Sequence, residues 1–268
     1  MNEALNFALP KRNRTMEMIS LEGLPDIVEG MDLAGEIYQV LSEQNNRLQQ
    51  GDILVIAHKV VSKSEGNVFC IDDITPGKRA LELAKESGKD ARKIEVILGQ
   101  SKRILRCHKR PGQTEGIIIA EHKLGFICAN SAVDESNADS PGQLITLPEN
   151  PDHSAQHICH ALEHKFQCQL GVVISDTFGR PWRMGQTNVA IGVANVPAIK
   201  TMEGKPDAWG RTLKVTAPAF ADELAAASGL LMDKEGKCPV MIFRGLDWTP
   251  QASNTQQLIR PKQEDLFR

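Results

Sequence analysis

The stretch VVISDTFGRPWRMGQTNVAIG, residues 172–192, decides how the rest of the chain is read. Val172, Val173 and Ile174 form a β-branched run of the kind that fills a covered, pleated surface. A strand serving only the core would leave through a small turn. This one delivers Asp176, Thr177, Arg180 and Arg183 in quick succession: a carboxylate, a hydroxyl and two guanidinium groups. The pattern predicts a buried strand whose far end carries chemistry.

Two further segments share the design of an apolar run that ends in polar groups. GDILVIAHKVVSKSEG, residues 51–66, offers His58, Lys59 and Lys63; GFICANSAVDESN, residues 125–137, offers Asp134 and Asn137. Carboxylates and a hydroxyl suit Mg²⁺ or Mn²⁺, which take oxygen ligands and keep several waters. Lysine and arginine suit phosphate oxygens. Taken together they describe a metal–phosphate site. Each residue alone has a plainer explanation, since an Asp after a strand is most often a turn former or N-cap and a Trp such as Trp182 a packing anchor. The case rests on convergence.

The familiar nucleotide signatures are absent: no G-x-x-x-x-G-K-[ST] occurs, and no G-x-G-x-x-G follows a strand. A P-loop or Rossmann site is disfavoured, and any nucleoside triphosphate would sit in another geometry. The spacing of His153, His157, His160 and His164 places them on one helical face and raises zinc as a possibility. Ile158, Ala161, Leu162 and Phe166 make the core stripe of that helix, so the histidines are expected on a solvated flank.

The chain has 268 residues and a net charge of −3, enough for a substantial core and without the basic excess of a nucleic-acid binder. No stretch has the length of a membrane span, and the N-terminus lacks the pattern of a secretory signal. The six cysteines include no C-x-x-C pair and are expected as free thiols, which points to a cytoplasmic protein without nucleic-acid or membrane partners.

Along the chain, residues 1–15 are expected as a loose basic arm, followed by a strand at MEMISLEG and a helix around 33–44. The strand ILVIA follows, VVSKSEG is read as extended or turning, and Thr75-Pro76 opens a helix through the late eighties with Pro76 in its first turn. Residues 116–129 read as a hairpin, and the Asn/Asp/Ser-rich run after it as a loop. A helix over about 153–166, a strand LKVTA, an Ala-rich helix over 222–232 and a strand VMIFRG complete the fold. The tail 249–268 is expected to be flexible. Hairpin-like pairs interrupt any βαβ alternation, so the class is α+β, with mixed or antiparallel sheets, helices and two intimately packed subdomains over residues 16–248.

With these residues assembled, the chain resembles the GTP-dependent coenzyme F420-0:L-glutamate ligases, the F420 γ-glutamyl ligases. The resemblance runs from about Leu21 to Leu246. It is carried by EGLPDIVEGMDLA, GDILVIAHKVVSKSEG, NSAVDESN, SDTFGRPWRMGQTNVAIG, the D-x-x-G-R of residues 207–211, ADELAAASGLLM and the closing FRGL. It implies that Leu24, Pro25, Asp26 and Ile27 contact the guanine nucleotide, as do His58, Lys59, Lys63 and Asn137. It implies Asp134 and Asp176 as ligands of one divalent metal and Thr177 as a ligand of a second. A last metal ligand of relatives, a glutamate after L-L-M, falls on Lys234 without a gap and on Glu235 with a one-residue slip, within a loop shorter than the family's.

The implied activity joins a carboxylate of an F420-0-type acceptor to the amine of L-glutamate. GTP is the co-substrate, with one or two Mg²⁺ or Mn²⁺ ions, an acyl-phosphate intermediate and Asp134, Asp176 and Lys63 in the catalytic apparatus. The implied assembly is a homodimer. Two other readings stay open: glutamylation of folate or another pterin, and a nucleotide- and metal-binding protein without catalysis. The chain ends soon after FRGL, so the flavin-reductase-like domain fused to some relatives is not expected.

Overall fold

The structure, a computed structural model, describes residues 15–232 and 237–266. The expected arm at 1–15 therefore lies outside the described residues apart from Thr15, and so does Glu235.

The first elements in the chain are β1 (Glu17–Ser20), α1 (Leu33–Glu43), β2 (Ile53–Ala57) and α2 (His58–Ser64). The expected extended continuation VVSKSEG is thus corrected to helix. Its Val60 and Val61 favour strand locally, but a turn of helix buries Val61 in the core together with His58 and Ser62, and tertiary packing overrides propensity. Next come β3 (Val68–Cys70) and α3 (Lys78–Ser87). The N-cap of α3 is Gly77, so Pro76 precedes the helix and does not occupy its first turn. The following α4 (Ala91–Gln100) and β4 (Ser101–His108) have no counterpart in the sequence reading. Asp90 starts α4 by accepting from the Arg92 backbone N–H.

The expected hairpin is present as β5 (Ile117–His122) and β6 (Ile127–Ala129), followed by β7 (Gln143–Ile145). Then α5 (Pro151–Phe166) opens on an Asn150 side-chain cap with proline in its first turn, where a missing N–H costs nothing. All four of its histidines are exposed. The decisive stretch forms β8 (Gly171–Arg180) and β9 (Arg183–Ala194), a long antiparallel hairpin turning at Pro181-Trp182 with Trp182 at φ 57°. Last come α6 (Phe220–Ser228) and β10 (Val240–Arg244). The strand expected at LKVTA does not form. That segment is tied through Met202 N–H to Thr216 O and Lys200 N–H to Pro218 O, and Val215 is 91% exposed, so no core favours a ladder there.

The class is α+β. The main sheet has the order β1-β10-β2-β8-β9, in which only β2 and β8 run parallel. Leu54, Ile56, Val172, Ile174 and Ile242 point into one core with α1 and α5. Ile53, Val55, Val173, Met241 and Phe243 point into a second core with α6. Because both faces are covered, the central strands read as continuous apolar runs and not as alternation. Each such side chain contributes about 1.5–3 kcal/mol of burial. A third core lies between α3, α4 and the three-stranded sheet β4-β5-β6.

Gly192 admits the start of α5 against β9, since a Cβ there would collide with the Pro151 carbonyl. Asp152 completes that junction by accepting from Val193 N–H and from the backbone and hydroxyl of Thr255. Thr255 is 2% exposed. The segment after Trp248, expected to be flexible, is therefore anchored to β9 and α5, and Gln256 adds a bond to Leu124 O.

Candidate active site

The parallel pairing stops where β2 ends at Ala57 opposite Ser175, while β8 runs on to Arg180. The carboxyl end of a parallel pair is where an α/β arrangement leaves space for a ligand, because the chain must depart from the sheet there. A cleft of about 1060 Å³ opens at this point. It is bounded by residues 24–27, the first turns of α2, the loop at residues 137–139, the ends of β8 and β9, and the C-terminal end of α6.

Leu24, Pro25, Asp26, Ile27, His58, Lys59, Lys63, Asn137, Asp176 and Thr177 all line it. Asp134 stands behind this wall and reaches it through Lys59, whose Nζ lies 2.7 Å from Asp134 Oδ2. Arg180 and Arg183, considered above as anion contacts, do not line the cleft; both are exposed at the hairpin tip, where Arg180 donates to Met184 O.

How the chain aims these groups can be traced locally. A register shift in the β8–β9 ladder falls between Ile174 and Ser175, one step before Asp176, as bulges beside sites commonly do. Asp176 Oδ1 accepts from the Thr177 backbone N–H and lies 3.2 Å from His58 Nε2, an approach without the alignment of a hydrogen bond. The other oxygen, Oδ2, has no hydrogen-bond partner among the described residues.

Asp134 is fixed by two backbone bonds to Ile145, just after Asn130, Ser131 and Ala132, all at φ between 51° and 56°. Three successive non-glycine residues in the left-handed region are costly, and such strain gathers where position matters. Burial disfavours the Asp134 carboxylate, but the Lys59 ammonium and the Ser136 N–H and hydroxyl outweigh it and hold its pKa down at about 2.

Each lysine at the cleft among the described residues faces a carboxylate. Lys59 pairs with Asp134, Lys63 with Asp139 at 2.5 Å and Lys237 with Asp26 at 2.8 Å. Asp139, Lys237 and Asn188 were not singled out from the sequence. Asp139 sits within the Asn/Asp/Ser-rich loop, where turn chemistry masks it, while Lys237 and Asn188 reach the cleft only through tertiary contacts.

As to a divalent metal, no three His, Cys, Asp or Glu side chains cluster in ligating geometry among the described residues. The chemistry of the cleft still fits Mg²⁺ or Mn²⁺. Asp176 Oδ2 and the Thr177 hydroxyl are hard oxygen donors at its wall, and these ions need few protein ligands when phosphates supply the others. Asp134 is engaged by Lys59 and Ser136 on both oxygens.

A sequence profile described as F420-0:Gamma-glutamyl ligase matches residues 23–245. The chain belongs to the F420-0:gamma-glutamyl ligase family. The coenzyme F420:L-glutamate ligase of Methanothermobacter thermautotrophicus is 41% identical over 256 residues, covering 94% of this chain and 99% of that protein. That of Methanocaldococcus jannaschii is 40% identical over 259 residues, covering 96% and 99%. The Methanosarcina mazei protein is 38% identical over 254 residues, covering 94% and 95%. The matched span in this gamma-glutamyl ligase family member contains every element that lines the cleft. Among the described residues, no helix is long and apolar enough to cross a membrane.

Proposed function

We propose that this protein ligates L-glutamate to a carboxylate of an F420-0-type acceptor, with GTP as the phosphoryl donor. The observation that carries the reading is the meeting of Lys59, Lys63, Asp176 and Thr177 in one cleft where β2 ends beside β8. A carboxylate does not acylate an amine in water, because it has no leaving group. In the first step an acceptor carboxylate oxygen attacks the γ-phosphorus of GTP, and the bond from that phosphorus to the β–γ bridging oxygen breaks. GDP leaves and an acyl phosphate forms. The glutamate nitrogen then attacks the acyl carbon, inorganic phosphate departs with the acyl oxygen, and the nitrogen gives up a proton to yield the amide.

Little covalent work falls to the protein, so catalysis is positioning and charge neutralisation. Residues 24–27 and Asn137 bound the nucleotide's place. Lys59 and Lys63 exchange part of their pairing with Asp134 and Asp139 for phosphate oxygens. Asp176 and Thr177 would hold Mg²⁺ or Mn²⁺, which supplies Lewis-acid neutralisation of phosphate charge when bound. Asp134 acts through Lys59, fixing the ammonium at the cleft wall.

We also infer a homodimer, supported by the β8–β9 tip, where Trp182 is 81% and Met184 96% exposed. Sedimentation would report a single copy if this is wrong.

The test is incubation with GTP, Mg²⁺ or Mn²⁺, L-glutamate and F420-0, followed by acceptor mass. Gain of one glutamyl residue is expected. Gain only with a pterin acceptor would move the substrate class, and nucleotide binding without product on any acceptor would overturn the ligase reading.

A further inference from the structure

We propose that Asn188 is a positioning residue that locks the Thr177 hydroxyl with its proton turned away from the cleft and its lone pairs toward it. The inference rests on the ligase reading above and goes beyond it by assigning the orientation of a donor group.

Thr177 and Asn188 face each other across the β8–β9 ladder, with Thr177 Oγ1 2.8 Å from Asn188 Oδ1. Hydrogen-bond polarity can be followed inward from this pair. The buried Ser228 hydroxyl donates to Ala225 O at 2.7 Å, which uses its only proton. Toward Asn188 it can therefore only accept, so the Asn188 amide nitrogen must be the atom that faces it, at 3.5 Å. Met232 sulfur, 4.0 Å from the same nitrogen, is also an acceptor and favours the same orientation.

The amide oxygen is then left for Thr177, and an oxygen acceptor requires Thr177 to donate. A hydroxyl that has committed its proton presents only lone pairs elsewhere. Thr177 lines the cleft, so those lone pairs are available to a cation or to an N–H donor of the substrate. Gly229 leaves room for this amide, since a Cβ there would stand 3.2 Å from Asn188 Nδ2 and press on it. The chain Ala225–Ser228–Asn188–Thr177 thus transmits the direction of a carbonyl near the end of α6 to the active-site hydroxyl.

The test is a cycle of Asn188→Ala in three backgrounds: wild type, Thr177→Ser and Thr177→Val. Two readouts are used, calorimetric binding of Mn²⁺–GTP without acceptor or glutamate, and kcat/KM for glutamylation. Loss of one oriented hydrogen bond predicts a drop of about tenfold in both for wild type and Thr177→Ser. In Thr177→Val the same substitution should cost nothing further. A purely structural Asn188 would cost the same in all three backgrounds, and that result overturns the proposal. If wild type neither binds Mn²⁺–GTP nor forms product, the ligase reading falls and this role with it; equal costs in an active enzyme remove the Asn188 role alone.

Discussion

Lys59 Nζ lies 2.7 Å from Asp134 Oδ2, tying the first turn of α2 to the loop between β6 and β7. The pair is asymmetric in exposure: the lysine side chain is 15% exposed and the aspartate 41%. Lys59 also donates to the Ser136 carbonyl at 3.0 Å, so the same loop holds the ammonium at a second point.

Breaking that pair gives the first prediction. The Asp134 pKa is lowered from 3.8 to about 2, so the stability it contributes is present in full above about 3.8 and is lost as pH falls through about 2. Allowing for solvent screening of a partly exposed side chain, the contribution is about 1 kcal/mol. Lys59→Ala should lower the denaturation midpoint at pH 7 and much less near pH 2. An equal loss at both pH values would show that the ion pair is not the cause.

Asp176 should matter for turnover far more than for folding. Asp176→Asn keeps shape and the local acceptor but removes the charge, and a drop in kcat of about 100-fold or more is expected. Acceptor mass and a thermal scan on the same preparation check it. Unchanged turnover would remove Asp176 from the metal-holding role.

His122 on β5 provides a pH dependence of the same sign in a higher pH window. It is 2% exposed, its Nδ1 accepts from Leu124 N–H, and burial with the nearby charges of Lys123 and Lys102 lowers its pKa from 6.5 to about 4. Between those values the unfolded chain takes up a proton that the folded protein refuses. Stability therefore falls as pH falls from 6.5 to 4, by about 3 kcal/mol in all, and no further below. His122→Asn retains an acceptor for Leu124 and should flatten urea-denaturation stability over that window. If the slope survives the substitution, other groups produce it.

The anchored tail predicts a structural effect without a catalytic one. Thr255→Val removes the hydroxyl proton shared between Asp152 and Ile191 O, and should cost about 1–2 kcal/mol in stability while KM for GTP stays unchanged. A matching change in KM would mean that the tail acts on the cleft.

Much of the cleft lining was legible in the sequence, because apolar runs ending in charge mark strands that deliver side chains to one edge. Val172–Ile174 followed by Asp176 and Thr177, and ILVIA followed by His58 and Lys59, are such runs, and they form the parallel pair. Local pattern also placed the β5–β6 hairpin and the outward histidines of α5. It failed where distant contacts decide. Val60 and Val61 looked extended until the core claimed Val61, LKVTA looked like a strand but has no partner face, and the polar tail gave no sign that Thr255 would be buried.

The sequence by itself determined the family, the class and many of the groups that line the cleft, since residue type and order are enough for those. Tertiary structure alone decided which groups face each other. It gave Asp134 to Lys59 and Asp139 to Lys63, and set Asn188 against Thr177. Those pairings follow from sheet register and from the cores on both of its faces, which bring together residues far apart in the chain.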